Sequence, residues 1–498
     1  MLKRAYTWIN GAITLEKQLE RHPHMKLLFI EPPKDYWFVM GEYLPPPYGL
    51  LQLAAYVENK IRDIEIEVID CQAKQLDWKG LEKKIESFDP NIVASSGFAT
   101  CNAYTTARAL ELAKKINPEI LTVTGGQHFT VTVEESLATY PEIDVIVRGE
   151  GEKTLVELVK TLDEKKSLSG VKGISFRREG RIQKNPSQPL IDNLDALPFP
   201  GYHFVEDVMH RYHFTMMAGK GSKYGMIEAS RGCPHRCVFC SQWRHWEGRW
   251  RHKSVKRIAD EMEFCVNNYG SKLLWLTDDN FGMGKRMDDL CDEMIRRDFP
   301  DDLICFLQMR CDDIVKSESI LPKMQKAGIN WLLLGVESQS ESTLERFNKK
   351  TSPDYAKKAV KLLKENGIFA QTTAIIGERK DSTESIEGLR EFINELNPDL
   401  AIFMILTPFP GTGVFEEAKE NGWIEDWNWA HYDMVHVIMP TETLSREEVQ
   451  QELYQCYRGF YGSWKRRLGG IFSANTIKRR AYTYMASQGV LRQLRNLV

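Results

Sequence analysis

No apolar run in the 498 residues comes near the ~18–20 that a membrane span needs. The longest candidate, 401–406, has the size of one buried strand. The first residues carry no signal-peptide pattern, so the chain is expected in the cytoplasm. Low-complexity tracts and fixed-period repeats are absent. The 27% of charged and 10% of aromatic residues exclude a disordered or fibrous chain. Neither charge sign dominates: 66 basic residues face 69 acidic ones, which argues against a bulk polyanion such as nucleic acid as partner. After Glu452, however, acidic residues are missing altogether. That tail carries Arg458, Lys465, Arg466, Arg467, Lys478, Arg479, Arg480, Arg492 and Arg495. Taking these nine positive charges from the net −3 leaves the body near −12.

At roughly 100–200 residues per domain the length allows two to four domains. Residues 1–25 are a polar lead, read as an N-terminal extension because Met25 would make a natural start. Short apolar or β-branched strands are expected at 26–31, 64–70, 92–96, 121–124 and 145–147, with helical patterns between them. That alternation predicts a doubly wound parallel sheet over 26–165. Residues 166–220 form a linker with two short strand candidates, near Ile174 and Ile182, punctuated by Pro198, Pro200 and Gly201. A second alternation covers 221–430, with strands expected at 225–229, 273–277, 305–309, 331–334, 370–376 and 400–405. Six such units predict a partial α/β barrel with active groups at the strand C-terminal ends. Residues 431–498 read as a mainly helical, basic segment.

Ten cysteines in a cytoplasmic chain of this size are no disulfide framework. Either most are core thiols or some hold metal. Cys233, Cys237 and Cys240 stand in C-x3-C-x2-C spacing just after the first strand of the second alternation. Three thiolates on one tight loop can hold three corners of a cubic [4Fe–4S] cluster. No fourth cysteine follows at useful spacing, so one iron would stay open to an external ligand. The rival is a structural zinc site, which would want four closed ligands. His235 would crowd the loop rather than complete a tetrahedron. The bland alternative is three coincidental core thiols.

With this triplet, and with Phe239 before its last cysteine, residues 221–430 resemble the radical S-adenosylmethionine (SAM) superfamily. The resemblance implies an open iron that chelates SAM, and an electron transfer that cleaves SAM to a 5′-deoxyadenosyl radical. It further implies SAM contacts at successive strand ends: Asp278 and Asp279, then Gln308 and Arg310, then Glu337, then Ile376 and Gly377. The segment 407–412 closes the sixth strand. For a paired Asp or a lone Glu at such an end, the ordinary alternative is a helix cap or a salt bridge.

The first domain has no G-x-G-x-x-G, so a dinucleotide is not indicated. It resembles the cobalamin-binding domains that precede many radical SAM barrels. The matching residues are 45–49, Asp70 and Gln72, Ser95 and Ser96, Gly125, Gly126, Gln127 and His128, then Gly149 and Glu150. Small residues there would let a corrin approach the backbone closely. Gln72 and Gln75 stand where many cobalamin domains have Asp-x-His-x-x-Gly, which implies a lower corrin face without histidine. The fold expected is thus α/β: a doubly wound, Rossmann-like cobalamin-binding domain, a partial (β/α)6 radical SAM barrel, and a mainly helical C-terminal segment.

Residues 243–252 interleave three tryptophans with five basic side chains. Such interleaving can bind single strands, but a packed loop over the cluster, with Arg249 or Arg251 near a carboxylate, is the expectation. Cys71, Cys101, Cys265, Cys291, Cys305, Cys311 and Cys456 form no C-x-x-C pair and are expected to be buried, with Cys305 or Cys311 as alternative hydrogen-atom donors. Trp423, Trp427, Trp429 and Tyr432 are expected to cap the barrel mouth.

What the resemblance implies in sum is a cobalamin-dependent radical SAM methyltransferase acting on an unactivated carbon. One SAM would methylate Co(I) cobalamin. A second would yield the adenosyl radical, and the resulting substrate radical would take methyl from methylcobalamin. The alternatives are an oxidative cyclase of the anaerobic Mg-protoporphyrin monomethyl ester type and a non-catalytic cobalamin or iron–sulfur module. Tetrapyrrole, lipid, small natural product and protein side chain all stand open as substrate. An electron donor such as ferredoxin or flavodoxin is implied. For the basic tail an acidic partner, anionic lipid and plain solvent are all open.

Overall fold

The computed structural model describes residues 25–34, 43–97, 99–219 and 223–488. The lead 1–24, and the end of the tail with Arg492 and Arg495, lie outside the described residues. Among those described, 25–34 and 47–209 form one compact unit, and 43–46 and 210–488 form another.

The first unit is built on one seven-stranded sheet. Its strands are β1 (Met25–Glu31), β2 (Ile64–Asp70), β3 (Ile92–Ser96), β4 (Leu121–Gly125), β5 (Val145–Val147), β6 (Ile174–Arg178) and β7 (Arg181–Lys184). They lie in the order β2-β1-β3-β4-β5-β6-β7. The first five are parallel, and β6 and β7 join antiparallel at one edge. Leu27, Leu28, Phe29 and Ile30 are buried on both faces of β1, as a strand between helical layers requires. Those layers include Tyr48–Lys60, Trp78–Phe88, Ala103–Ile116 and Gly151–Asp163. β6 and β7 come from the stretch expected as a linker. Arg177 of β6 fastens them by donating to the backbone carbonyls of Leu137, Tyr140 and Ile143. The 2-1-3-4-5 order places a topological switch between β1 and β3, where a crevice opens at the strand C-terminal ends.

The second unit has six strands in sequential order, all parallel. They are β8 (Lys223–Ile227), β9 (Ser271–Leu276), β10 (Ile304–Arg310), β11 (Ile329–Glu337), β12 (Phe369–Ile376) and β13 (Leu400–Ile405). Helices such as Val255–Tyr269, Lys285–Arg297, Pro353–Glu365 and Thr383–Leu396 return the chain each time. Repeated crossovers of one hand curl the sheet into the expected partial barrel. Its floor is aromatic. Phe306 stacks on Trp331 at 4.0 Å, Trp275 meets Phe306 at 5.2 Å, and Phe214 meets Trp331 at 5.4 Å. Trp331 Nε1 donates to Gln371 Oε1 at 2.8 Å, which satisfies that indole N–H.

Stopping at six strands leaves one edge of β13 without a neighbouring strand. Two tyrosines of the helix Arg446–Tyr461 close it. Tyr457 Oη accepts from Phe403 N at 3.2 Å and donates to Phe403 O at 2.8 Å. Tyr461 Oη does the same with Ala401, at 2.9 and 2.7 Å. Each hydroxyl thus replaces one donor and one acceptor of a missing strand. Replacing Tyr461 by Phe strands the buried N–H and C=O of Ala401. Tyr461→Phe is therefore expected to cost about 1–3 kcal/mol, read as a lower urea midpoint with unchanged slope.

Candidate functional site

The cysteine loop leaves and rejoins the barrel at one point. Ser230–Arg231 pairs antiparallel with Arg251–His252, which pinches off residues 232–250. Gly232 makes the pinch possible. Its φ is +87°, and a Cβ there would overlap the carbonyl oxygen of Arg249. The loop then reaches to other strand ends. Val238 N donates to Phe347 O at 3.0 Å, beyond β11, and Val238 O accepts from Gly413 N at 3.0 Å, beyond β13. Asn348 Nδ2 donates to Arg236 O at 2.8 Å, and Phe239 meets Phe347 edge-on at 5.0 Å. Trp243 Nε1 donates to Cys237 O at 3.0 Å, so the tryptophan-rich segment does pack on the cysteine loop. Within that segment Arg251 is buried; before the loop, Arg231 pairs with Glu228 at 2.9 Å.

The three thiols are neighbours. Burial above all pushes Cys240 up to about 12 and Cys233 up to about 11, and it also raises Cys237. Asp279 and the adjoining thiolates push Cys240 and Cys233 the same way. Thiols this reluctant to ionise alone become thiolates when bound iron supplies the compensating charge. Three soft sulfur donors on one loop, close enough to repel as anions, fit a cluster with one uncommitted corner.

Around the loop stand the expected SAM residues, all at C-terminal ends of the barrel strands. Asp278 is fully buried and accepts from Ala229 N at 3.2 Å and from the Ser230 hydroxyl, which ties β9 to the base of the loop. Burial pushes its carboxyl up to about 6 despite nearby Arg286. Asp279 makes no hydrogen bond or ion pair with the described residues. Burial, then Asp278 and Glu228, push it up to about 7. Gln308 is half-buried, and its carbonyl accepts from Phe281 N at 3.2 Å. Arg310 is held by Asp312 at 2.9 Å and by the carbonyls of Lys349 and Lys350. Glu337, in the left-handed region at φ +66°, accepts from the buried Lys349 Nζ at 2.7 Å and from Thr373 Oγ1 at 3.0 Å. Ile376 is buried, and Gly377, at φ +80°, donates its N–H to Asp381 at 2.9 Å. Asp278, Arg310 and Glu337 are thus engaged within the protein, while Asp279 and Gln308 are less committed. Lys349 was not anticipated. It has no motif of its own, and only the fold brings it to Glu337.

Cys305 and Cys311 are fully buried, and Cys311 Sγ lies 3.7 Å from Gly335 O. The aromatic segment 422–436 meets the end of β13, where Ile405 N donates to Met434 O at 2.8 Å. Trp429 and Tyr432 are buried there; Trp427 is exposed.

In the first unit the residues expected at the corrin collect at the C-terminal edge of the sheet. Ser95 Oγ donates to Ile30 O at 2.9 Å across the β1–β3 switch. The loops after β3 and β4 meet by backbone alone: Gly97 N donates to Gly125 O at 3.0 Å and His128 N to Gly97 O at 3.3 Å. A Cβ on Gly126, at φ +88°, would come within 2.9 Å of the Gly97 backbone. Bare backbone at a sheet edge is what a flat ring needs in order to approach, so these residues fit a corrin. Asp70 caps the next turn at Ala73 N, and Gln72 Nε2 donates to Lys34 O at 2.7 Å. Gly149 N donates to Thr130 Oγ1 at 3.2 Å, and Glu150 accepts from Ile191 N at 2.6 Å. Gln127 opens the short helix that carries His128. His128 is buried edge-on to Phe129 at 5.1 Å, and burial pulls its imidazole down to about 4.

An uncharacterized methyltransferase of Pyrococcus horikoshii is 33% identical over 94% of this chain and 98% of its own length. Residues 227–393 match the Radical SAM superfamily and 40–159 the B12 binding domain. The chain belongs to the radical SAM superfamily. This radical SAM enzyme carries a B12-binding domain, and its cofactors are a [4Fe–4S] cluster, SAM and cobalamin. The anaerobic magnesium-protoporphyrin IX monomethyl ester cyclase of Rubrivivax gelatinosus is 30% identical over 88% of this chain and 77% of its own. The solved radical SAM methyltransferase TsrM of Kitasatospora setae shares the fold. Its TM-score is 0.69 at 16% identity, over 95% of this chain and 99% of that one. No helix among the described residues is long and apolar enough to cross a membrane.

Two outcomes are expected from this geometry. Gly232→Ala should keep the helical circular-dichroism signal but take up far less iron and sulfide on reconstitution, because the loop cannot close. His128 is proton-free down to about 4 in the native state, whereas unfolded histidine takes a proton near its ordinary ~6.5. Its stabilising contribution is therefore present above ~6.5 and lost as pH falls towards 4, by up to ~3 kcal/mol. Urea midpoints of the cofactor-free protein across that range should fall less steeply in His128→Gln than in the wild type.

Proposed function

We propose that this radical SAM enzyme methylates an unactivated carbon of its substrate. The observation that carries the reading is the pairing, in one chain, of a 2-1-3-4-5 sheet with a backbone-built edge and a half-barrel whose cysteine loop offers three ligands and no fourth. The methyltransferase relative that matches nearly end to end favours methyl transfer. Bound in these sites, the cluster supplies the electron that splits SAM into the hydrogen-abstracting radical, and the corrin supplies the methyl group. Cys233, Cys237 and Cys240 hold the cluster, and Phe239 packs their loop against Phe347. Asp279, uncommitted at the mouth, accepts from the SAM ammonium; Gln308 offers an amide beside it. Lys349 and Thr373 hold Glu337 in one orientation, and Asp312 does so for Arg310. Ile376 and Gly377 supply a close, small wall for the adenine. The packed rings of Trp275, Phe306 and Trp331 close the barrel floor against water, which a primary carbon radical requires.

In the first unit Ser95, Ser96, Gly125, Gly126 and Gly149 offer backbone and small side chains to the corrin. Asp70, Gln72, Gln127 and Glu150 shape the loops around it. His128, buried and neutral, packs behind the glycine pair instead of ligating cobalt. The enzyme works in the cytoplasm and draws electrons from a ferredoxin or flavodoxin. A tetrapyrrole, a lipid, a small natural product or a protein side chain is its substrate.

Similarity to the cyclases keeps oxidative ring closure as a second reading. The reconstituted, reduced enzyme given SAM with a deuterated methyl group separates the two. Methyl transfer is expected to yield S-adenosylhomocysteine, 5′-deoxyadenosine and methionine together, with the label in the product. Production of 5′-deoxyadenosine without S-adenosylhomocysteine would favour the cyclase reading. Cys237→Ala is expected to bring both to background.

A further inference from the structure

The helix Trp464–Ile471 is eight residues long and shows an unusual surface. Trp464 is 65% exposed, Leu468 46% and Phe472, at its C-cap, 79%. Trp464 and Phe472 are the most exposed large apolar side chains among the described residues. At ~100° per residue, positions four and eight apart fall within an arc of ~80° on one face. Lys465 and Arg467, both exposed, border that arc on its two sides. The opposite face is the one that packs. A Cβ on Gly470 would overlap the Tyr482 ring, and Arg466 lies 3.8 Å from the centre of the Phe460 ring and donates to Asn397. The outward arc is therefore set by the packing of the inward one, not by a free helix turning in solvent.

Charge along this C-terminal segment has one sign, and the acidic neighbour beside Lys465 is Glu395, which lines a groove with Lys465, Arg466 and Gly469. Arg458, Arg479 and Arg480 are exposed too, and no acidic residue follows Glu452. Arg467 Nε donates to Tyr461 O at 2.7 Å while the residue stays exposed; Lys478 is taken by Asp399 at 2.8 Å. Protruding Trp, Leu and Phe flanked by Lys and Arg match an interface between headgroups and acyl chains: rings and Leu enter, bases reach lipid phosphates.

We propose that this face docks the enzyme on the surface of an anionic lipid bilayer. The proposal is independent of the reaction the barrel performs. The arc inserts shallowly, the flanking bases meet lipid phosphates, and the chain remains peripheral.

The test is co-sedimentation of the full-length, cluster-loaded protein with sucrose-filled vesicles. One set is phosphatidylcholine alone; the other contains about one part in three phosphatidylglycerol. The wild type should partition at least about tenfold more strongly onto the anionic vesicles, less so at high salt. Trp464→Ser with Leu468→Ser and Phe472→Ser should lower that partitioning about tenfold or more, and Lys465→Gln with Arg467→Gln should do likewise. Iron content and the rate of SAM cleavage in detergent-free buffer should be unchanged in both, which separates lost docking from misfolding. Equal partitioning on the two vesicle types, or a triple variant that sediments like the wild type, overturns the proposal. So does a wild-type dimer in light scattering that the triple variant loses, since the face would then bind a second copy.

Discussion

Val238 holds the site together. Its N–H and C=O reach the loops beyond β11 and β13, so a segment that begins at the first barrel strand is fixed to the fourth and the sixth. A parallel half-barrel cannot close on itself, and its strand ends would otherwise splay. The cysteine loop is the strap across that gap, and it can be one only because Gly232 accepts a conformation and a contact closed to other residues. Position of the thiols and burial of the carboxylates beside them follow from this strap.

Burial carries an electrostatic cost, and the chain meets it in two ways. Where charge is structural, it is paired: Lys349 with Glu337, Lys253 with Glu261, Arg310 with Asp312. Elsewhere a buried carboxylate is left without a hydrogen bond or ion pair among the described residues. Asp278 and Asp279 show both treatments side by side, the first locked to the loop base and the second facing the cysteines. The same contrast marks the first unit, where Glu150 is spent on Ile191 while glycine backbone lines the edge.

The C-terminal helices serve two surfaces. Arg446–Tyr461 supplies hydroxyls that finish β13, a task a seventh strand would otherwise perform. The next helix is pinned by Gly470 against Tyr482, which leaves its aromatic arc facing away from the barrel. A segment that read only as a basic tail thus seals an edge and displays a surface.

Much of this was legible in the linear chain. Apolar and β-branched runs located the parallel strands of both sheets, because a strand buried on both faces must be apolar throughout. The cysteine spacing brought Cys233, Cys237 and Cys240 onto one loop, because residues three and four apart share one turn. The order of Asp279, Gln308, Glu337 and Gly377 after it placed them all at one end of the barrel. Tertiary structure alone decided the remainder. Lys349 meets Glu337, Tyr461 meets Ala401, Val238 meets Phe347, and β6 and β7 join the first sheet through contacts distant in sequence, and no local pattern encodes them. That Asp278 is bonded to the loop base while Asp279 is not was decided the same way, because it depends on which donors the folded chain brings within reach.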